Sequence, residues 1–225
     1  MHHPRPELAP NPAVRRLSLY LRQLEAFKRN DRRTTSSKQL GESLALSDAQ
    51  VRKDLAYFGQ FGHPGIGYRV DDLIAQVRKI LGTDRTWNVL LVGAGNLGRA
   101  LLAYKGFEKK GFRLAAVFDA NATKIGTTRG PFVIHPMTEL QATVTSLNIR
   151  LAIMTVPDDS AQSVADQLIA AGIRGILNFA PVSLTVPPHV GLSAVDLAVQ
   201  LEQLSVLVNF ASTDHPATSA KPPAL

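Results

Sequence analysis

Residues 93–98, Gly93-Ala94-Gly95-Asn96-Leu97-Gly98, have the spacing G-x-G-x-x-G. The run follows the apolar segment Asn88 to Val92 and opens a helical pattern, so its context is strand, turn, helix. There Gly93 makes the tight turn, Gly95 lets a pyrophosphate approach, and Gly98 lets helix and strand pack closely. Free N–H groups of Ala94, Gly95, Asn96 and Leu97 at a helix start hold phosphate oxygens. Asp119 ends the next apolar run, 26 residues after Gly93. A carboxylate there accepts bonds from an adenosine ribose and repels a 2′-phosphate, which favours NAD(H) over NADP(H). Two further loops, Thr155-Val156-Pro157 and Asn178-Phe179-Ala180-Pro181, end later apolar runs. Ligands bind outside the carboxyl ends of such strands, so both loops are expected to flank the nicotinamide half. The alternative is that the prolines only terminate strands.

A second set of residues suits a different chemistry. Gln50, Arg52 and Lys53 lie on the polar side of a helical pattern whose buried side is Val51, Leu55 and Phe58. Arg and Lys bind guanine edges and Gln suits adenine. Ser36, Ser47 and Tyr57 are candidate phosphate contacts. Tyr68 and Arg69 end the glycine-rich stretch 59–69, which reads as a wing whose basic tip could enter a minor groove.

The elements that must position these groups follow from periodicity. Leu17, Tyr20, Leu21, Leu24 and Phe27 predict a helix over 13–30. Residues 30–37 read as a loop, and a helix over 36–44 follows, capped by Thr35 or Ser36. Ser47 with Gln50 reads as a capping box opening a helix over 48–58. Residues 59–69 suit a β-hairpin, and 70–82 return to helix with Gly82 as its stop. Three helices and a hairpin make a winged helix-turn-helix. From residue 87 apolar runs alternate with helices. Strands are expected at 88–93, 114–119, 132–134, 150–156, 175–179 and 191–195. Helices are expected at 97–109, near 137–146 and at 160–171. That alternation means a doubly wound parallel sheet. A last apolar helix, 196–210, follows a fold already complete. The fold class is therefore α/β: an N-terminal winged-helix DNA-binding domain, then a Rossmann-like doubly wound parallel sheet.

Composition agrees with two units. Residues 1–86 hold 15 Lys+Arg against 9 Asp+Glu, and residues 87–225 hold 10 against 9. A basic excess confined to one segment is the footprint of a nucleic-acid binder. The 225 residues contain no cysteine, which excludes disulfides, thiolate zinc and thiol catalysis and suits a reducing cytoplasm. No apolar run is long enough for a membrane span, and no signal peptide is expected. His135, His189 and His215 have no obvious orienting acid in the sequence, and no metal-ligand spacing is present. The second unit reads as a binder of a dinucleotide rather than its consumer. A dehydrogenase with an appended DNA-binding domain and a CoA-binding regulatory module remain alternatives. The Pro-rich and Ser/Thr-rich ends, 1–12 and 211–225, are expected to be disordered.

The chain resembles the Rex redox-sensing transcriptional repressors of bacteria. The resemblance covers roughly 13–210. It is carried by Thr35-Ser36-Ser37-Lys38-Gln39-Leu40-Gly41, by Gln50 through Gly59 and by Gly65-Ile66-Gly67-Tyr68. Further on it rests on Gly93 through Gly98, Gly172 through Pro181 and Val195-Asp196-Leu197. It implies domains at 13–82 and 83–195 and a homodimer in which helix 196–210 is swapped into the partner. It implies NADH and NAD+ as ligands, double-stranded operator DNA as partner, and release of DNA by NADH. It also implies that Arg22, Tyr104 in the first helix of the second domain, and Asp196 link redox state to domain orientation. Some relatives have Phe after this Asp; here the residue is Leu197.

Overall fold

The stripe Leu17, Tyr20, Leu21, Leu24 and Phe27 lies buried along one face of α1, Asn11–Arg29. The structure, a computed structural model, describes residues 11–62 and 66–213. It divides into two compact units between Thr86 and Trp87. Asn11 and Pro12, expected to be disordered, already belong to α1, because a proline in the first helical turn forfeits no internal hydrogen bond. Residues 1–10 lie outside the described residues.

Ser36 caps α2, Ser37–Glu42, through a full capping box. Gln39 N donates to Ser36 Oγ (3.2 Å), and Ser36 N donates to Gln39 Oε1 (3.1 Å). The helix is shorter than the expected 36–44. Ser47 caps α3, Asp48–Ala56, accepting from Gln50 N at 3.1 Å. The reciprocal half expected there is missing, because the Gln50 side chain is turned onto Asp54 instead. Gly41 of α2 packs tightly against the turn leading into α3: a Cβ there would lie 2.5 Å from the Leu46 carbonyl oxygen.

The hairpin expected within 59–69 is replaced by a different pairing. Strand β1, Thr34–Thr35, pairs antiparallel with β2, Tyr68–Arg69, in the register Thr34 to Arg69 and Thr35 to Tyr68. Gly59 to Gly62 form no strand, and residues 63–65 lie outside the described residues. The partner strand thus comes from the segment read as a loop. Its two β-branched residues favour strand, but two residues show no periodicity. Gly67 (φ +83°) permits the approach: a Cβ there would meet the Thr35 oxygen at 2.5 Å. Helix α4, Val70–Leu81, ends on Gly82 in the left-handed conformation. It buries Val70, Leu73, Ile74 and Val77 against α1 and α3 residues in one core.

The second unit is a seven-stranded sheet. Its strands are β3 Trp87–Val92, β4 Phe112–Asp119, β5 Thr128–Arg129, β6 Phe132–Pro136, β7 Leu151–Met154, β8 Gly175–Asn178 and β9 Gly191–Ala194. Their order is β5-β6-β4-β3-β7-β8-β9, all parallel except β5 against β6. The chain leaves β3 first toward β4 and later returns to its other side at β7, so the switch point is at the carboxyl end of β3. Alternation along β3 sends Leu90 and Val92 to one apolar cluster and Val89 and Leu91 to the other. Helices α6, Leu140–Ser146, and α7, Asp158–Ala170, cover the first face.

Helix α5, Asn96–Leu102, is seven residues shorter at its end than the expected 97–109. Tyr104 therefore lies in a turn, 59% exposed, not in a helix. Gly106 closes that turn: a Cβ there would sit 2.2 Å from the Tyr104 ring. Phe107 folds back onto the sheet, its ring edge-on to Tyr104. On the same face an apolar groove of about 410 Å³ runs over Val89, Leu114, Ile153, Leu177 and Leu192. The last helix, α8, Leu197–Thr213, outruns the expected 210. Leu201, Leu204, Leu207, Val208 and Phe210 on it are all exposed. Residues 214–225, including His215, lie outside the described residues. Among the described residues no helix is long and apolar enough to cross a membrane, and no cluster of three His, Asp or Glu could hold a metal ion.

Candidate functional site

The glycine loop sits at the switch point, and its three glycines differ in what surrounds them. Gly93 (φ +99°) is walled in: a Cβ would lie 2.5 Å from the Thr155 carbonyl oxygen. Gly98 is packed harder, with the Gly93 oxygen 2.0 Å from a Cβ position. Gly95 faces open space, with nothing within 4 Å. Two glycines therefore serve the turn and the packing, and the third keeps a clear approach at the start of α5. That pattern fits a pyrophosphate. Asn96 and Leu97 begin α5, and the Asn96 side chain accepts from Arg99.

Asp119 ends β4 beside this loop and is almost fully buried. Its Oδ2 accepts from Ala94 N and from Lys124 Nζ, both at 2.8 Å, and its Oδ1 accepts from Asn121 N at 2.8 Å. Burial pushes the carboxyl up, but Lys124 and the two backbone amides outweigh it, and the net shift is downward. Asp119 is thus tied directly to the glycine loop. Lys124 escaped the sequence reading; its one signal is a cation five residues after a strand-ending aspartate.

The later loops reach the same edge of the sheet. Thr155 N donates to Val92 O, and Phe179 N donates to Met154 O. Their side chains also hold the local structure. Thr155 Oγ1 donates to the Gly93 carbonyl at 2.7 Å and so holds the glycine turn. Val156 packs into the core and Pro157 caps α7. Asn178 is buried, its Nδ2 donating to Ala180 O and Val182 O and its Oδ1 accepting from Ala180 N. It shapes the loop that carries Phe179, Ala180 and Pro181. Asp196 follows β9 at this edge and caps α8. Its Oδ1 accepts from Ala198 N (2.9 Å) and Val199 N (3.2 Å).

His135 is a correction. Its Nδ1 lies 2.8 Å from Glu139 Oε2, so an orienting acid exists. A short turn after β6 brings Glu139 back over the ring, which no strand reading would show. The pair stands on the β4–β6 side of the switch point, beside Phe118. The loops after β7 and β8 lie on the opposite side.

In the first unit α3 is fixed by a buried charge. Asp54 has no exposed surface and accepts four hydrogen bonds. The donors are Arg16 Nε (2.5 Å), Arg16 Nη2 (2.8 Å), Tyr20 Oη (2.6 Å) and Gln50 Nε2 (2.7 Å). Burial pushes its carboxyl up, but these donors prevail and hold it below the ordinary value. The Arg16 guanidinium is held charged by the same bonds, and burial raises the Tyr20 hydroxyl. Gln50 thus spends an amide proton inside the protein. Arg52 pairs with Asp48 (2.6 Å) and reaches Ser37 Oγ (3.3 Å). Lys53 and Tyr57 are exposed on α3 and at its end. A groove of about 640 Å³ between α3 and β2 gathers Ser36, Arg52 and half-buried Tyr68. Arg69 is not at a wing tip. It stands at the junction of β2 and α4, 3.5 Å from Asp72. Ile66 is an exposed large apolar residue of the described wing.

Known proteins resemble both units. Residues 84–182 match the family described as CoA binding domain, and residues 9–56 match that described as putative DNA-binding protein N-terminus. The redox-sensing transcriptional repressor Rex of Carboxydothermus hydrogenoformans is 46% identical over 196 residues, covering 87% of this chain and 94% of that protein. Rex of Desulfitobacterium hafniense is 48% identical, covering 87% and 93%. The chain belongs to the Rex family. Among solved structures, the Rex-family repressor RSP in complex with β-NAD+ and operator DNA superposes with a TM-score of 0.86 at 37% identity, covering 92% of this chain and 95% of RSP. RSP in complex with β-NADH gives 0.82 at 36%, covering 92% and 97%. In this Rex-family chain, α1, α2 and α3 fall inside the DNA-binding match, and the glycine loop, Asp119 and Thr155 fall inside the other. The strand β2 and helix α4 lie between the two matched segments.

Proposed function

We propose that this chain is a cytoplasmic transcriptional repressor that senses the NADH:NAD+ ratio and releases operator DNA when NADH binds. The observation that carries the reading is the Asp119–Ala94 bond at the switch point, in a chain whose first unit is a helix-turn-helix. Gly93 through Gly98 would hold the pyrophosphate and Asp119 the adenosine ribose. The loops at 155–157 and 178–181 would flank the nicotinamide. Ser36, Ser47, Gln50, Arg52, Lys53, Tyr57, Tyr68 and Arg69 would face DNA. The dinucleotide is a signal here, not a substrate. A hydride acceptor needs an acid/base at the nicotinamide, and the oriented His135 is at the adenosine side.

NADH and NAD+ differ by a hydride and one charge, so they can act only through differential affinity for two conformations. Two copies of the chain supply those conformations. Helix α8 exposes Leu201, Leu204, Leu207 and Phe210 in one chain, and swapping it into a partner removes that surface from water at about 25 cal/mol per Å². Helix-turn-helix dimers read half-sites about one turn apart, so a change in dimer geometry breaks the match. Arg22, Tyr104 and Asp196 would form this switch, a reading supported by membership of the Rex family. The Asp196 Oδ2 accepts nothing among the described residues, which leaves it for a cation such as Arg22. Leu197 would contribute a smaller apolar contact near the nicotinamide than Phe does.

Titration of the dimer with NADH, NADPH and CoA, followed by NADH fluorescence and its displacement, tests the ligand assignment. NADH is expected to bind well ahead of the other two. Preference for CoA would transfer the site to the CoA-binding reading. Arg22→Ala and Asp196→Ala are each expected to keep NADH and DNA binding while weakening the effect of one on the other. Full release by NADH in both variants would remove the pair from the switch.

A further inference from the structure

Asp119 already holds more donors than a free ribose carboxylate would. A carboxylate offers about four lone-pair sites, and Ala94 N, Lys124 Nζ and Asn121 N fill three of them. An adenosine ribose presents two hydroxyls, so one donor must leave. Ala94 and Asn121 donate from the backbone, and neither can turn away without unmaking the glycine turn or the loop after β4. The Lys124 side chain can, being about one-third exposed and carried on a flexible four-carbon stem. Its backbone stays pinned, with Lys124 N donating to Asn121 O at 2.9 Å and Thr127 Oγ1 donating to Lys124 O at 2.6 Å. The ammonium can therefore swing off Oδ2 but not leave the neighbourhood.

We propose that Lys124 is a displaceable cation that occupies Asp119 until a dinucleotide arrives and then stands beside the ribose 2′ position, setting how strongly NADP(H) is rejected. This rests on the dinucleotide reading above. With Asp119 alone, a 2′-phosphate meets a bare negative charge. With Lys124 beside it the local charge is near zero, and the rejection rests on the carboxylate's lone pairs and on space. If Asp119 is removed, Lys124 becomes the nearby cation of the kind that accommodates a 2′-phosphate in NADP-specific sites.

The test measures dissociation constants for NADH and NADPH by fluorescence in the full-length protein. Wild type, Lys124→Met, Lys124→Gln, Asp119→Asn and the Asp119→Asn/Lys124→Met double variant are compared. Lys124→Met and Lys124→Gln are expected to raise the preference for NADH over NADPH tenfold or more, with NADH affinity equal or higher because a competitor for Asp119 is gone. Asp119→Asn is expected to gain NADPH affinity that falls steeply with salt, and the double variant to lose that gain. A preference within twofold of wild type in both Lys124 variants, or NADPH binding by Asp119→Asn that survives Lys124→Met, overturns the proposal. Failure of wild type to bind NADH at all would instead overturn the dinucleotide reading.

Discussion

The two units present their binding groups in opposite ways. In the sheet unit the cradle proposed for the phosphates is backbone, and what matters is where a side chain is absent: Gly95 faces open space while Gly93 and Gly98 are walled in. In the helical unit the groups proposed to read DNA are side chains that also hold the fold. Ser36 and Ser47 are helix caps, Gln50 bonds the buried Asp54, and Arg52 bonds Asp48 and Ser37. A backbone site can lose its ligand function without losing its fold. A side-chain site built this way couples the two, so each substitution must be read in both stability and affinity.

The largest effect is expected at Asp54. Asp54→Ala leaves the Arg16 guanidinium and the Tyr20 hydroxyl without their partner. Breaking such a buried pair costs about 3–5 kcal/mol, visible as a collapse of the first unit's thermal transition and loss of operator binding. The pH dependence has a definite sign. The folded Asp54 carboxyl lies below its ordinary value, so its stabilisation is complete above about pH 4, near the unfolded aspartate value. It is lost as pH falls through the lower folded value. Asp54→Asn is expected to flatten that acid limb; an unchanged limb would assign acid unfolding to other carboxylates.

The glycine pair sharpens the contrast. Gly98→Ala drives a Cβ into the Gly93 oxygen and is expected to cost about 1–3 kcal/mol, the range for overpacking, along with NADH binding. Gly95→Ala is expected to leave the melting temperature unchanged and still weaken NADH binding. Equal melting losses in both would mean that Gly95 is structural and no ligand approaches there.

Arg52 is the intermediate case. Its pair with Asp48 is exposed, so Arg52→Ala is expected to move stability by no more than about 0.5 kcal/mol. Operator affinity is expected to fall by about 1–3 kcal/mol if it reads a base. An intact operator affinity would make Arg52 a helix-surface residue only. Ser47→Ala is the smallest, about 1 kcal/mol of stability from the lost cap; a larger loss in operator affinity than in stability would add a phosphate contact.

What was legible in the sequence follows the same division. The stripe of α1, the alternation of the sheet and the strand-turn-helix context of the glycine loop are periodic or positional, and they stand as read. Strand β1 was missed because Thr34-Thr35 is too short to show a period, and α5 was read too long because Tyr104 to Phe107 continues an apolar pattern past the turn at Gly106. Gln50 turns onto buried Asp54 of its own helix, Asn178 bonds Ala180 two residues on, and Thr155 bonds Gly93, 62 residues away. Polarity alone therefore could not tell a side chain turned inward from one offered to a ligand. Asp54 stayed unnoticed for that reason: in sequence it is one more charge on a helix with two acids and two bases, and only burial shows that it is the group the helix is built around.

The most direct test is operator affinity of the wild-type protein at fixed salt, measured without nucleotide, with saturating NAD+ and with saturating NADH. NADH is expected to weaken binding by about 5–150-fold, the usual range for coupling between two sites, and NAD+ is not. Equal operator affinity under NADH and NAD+ would contradict that expectation.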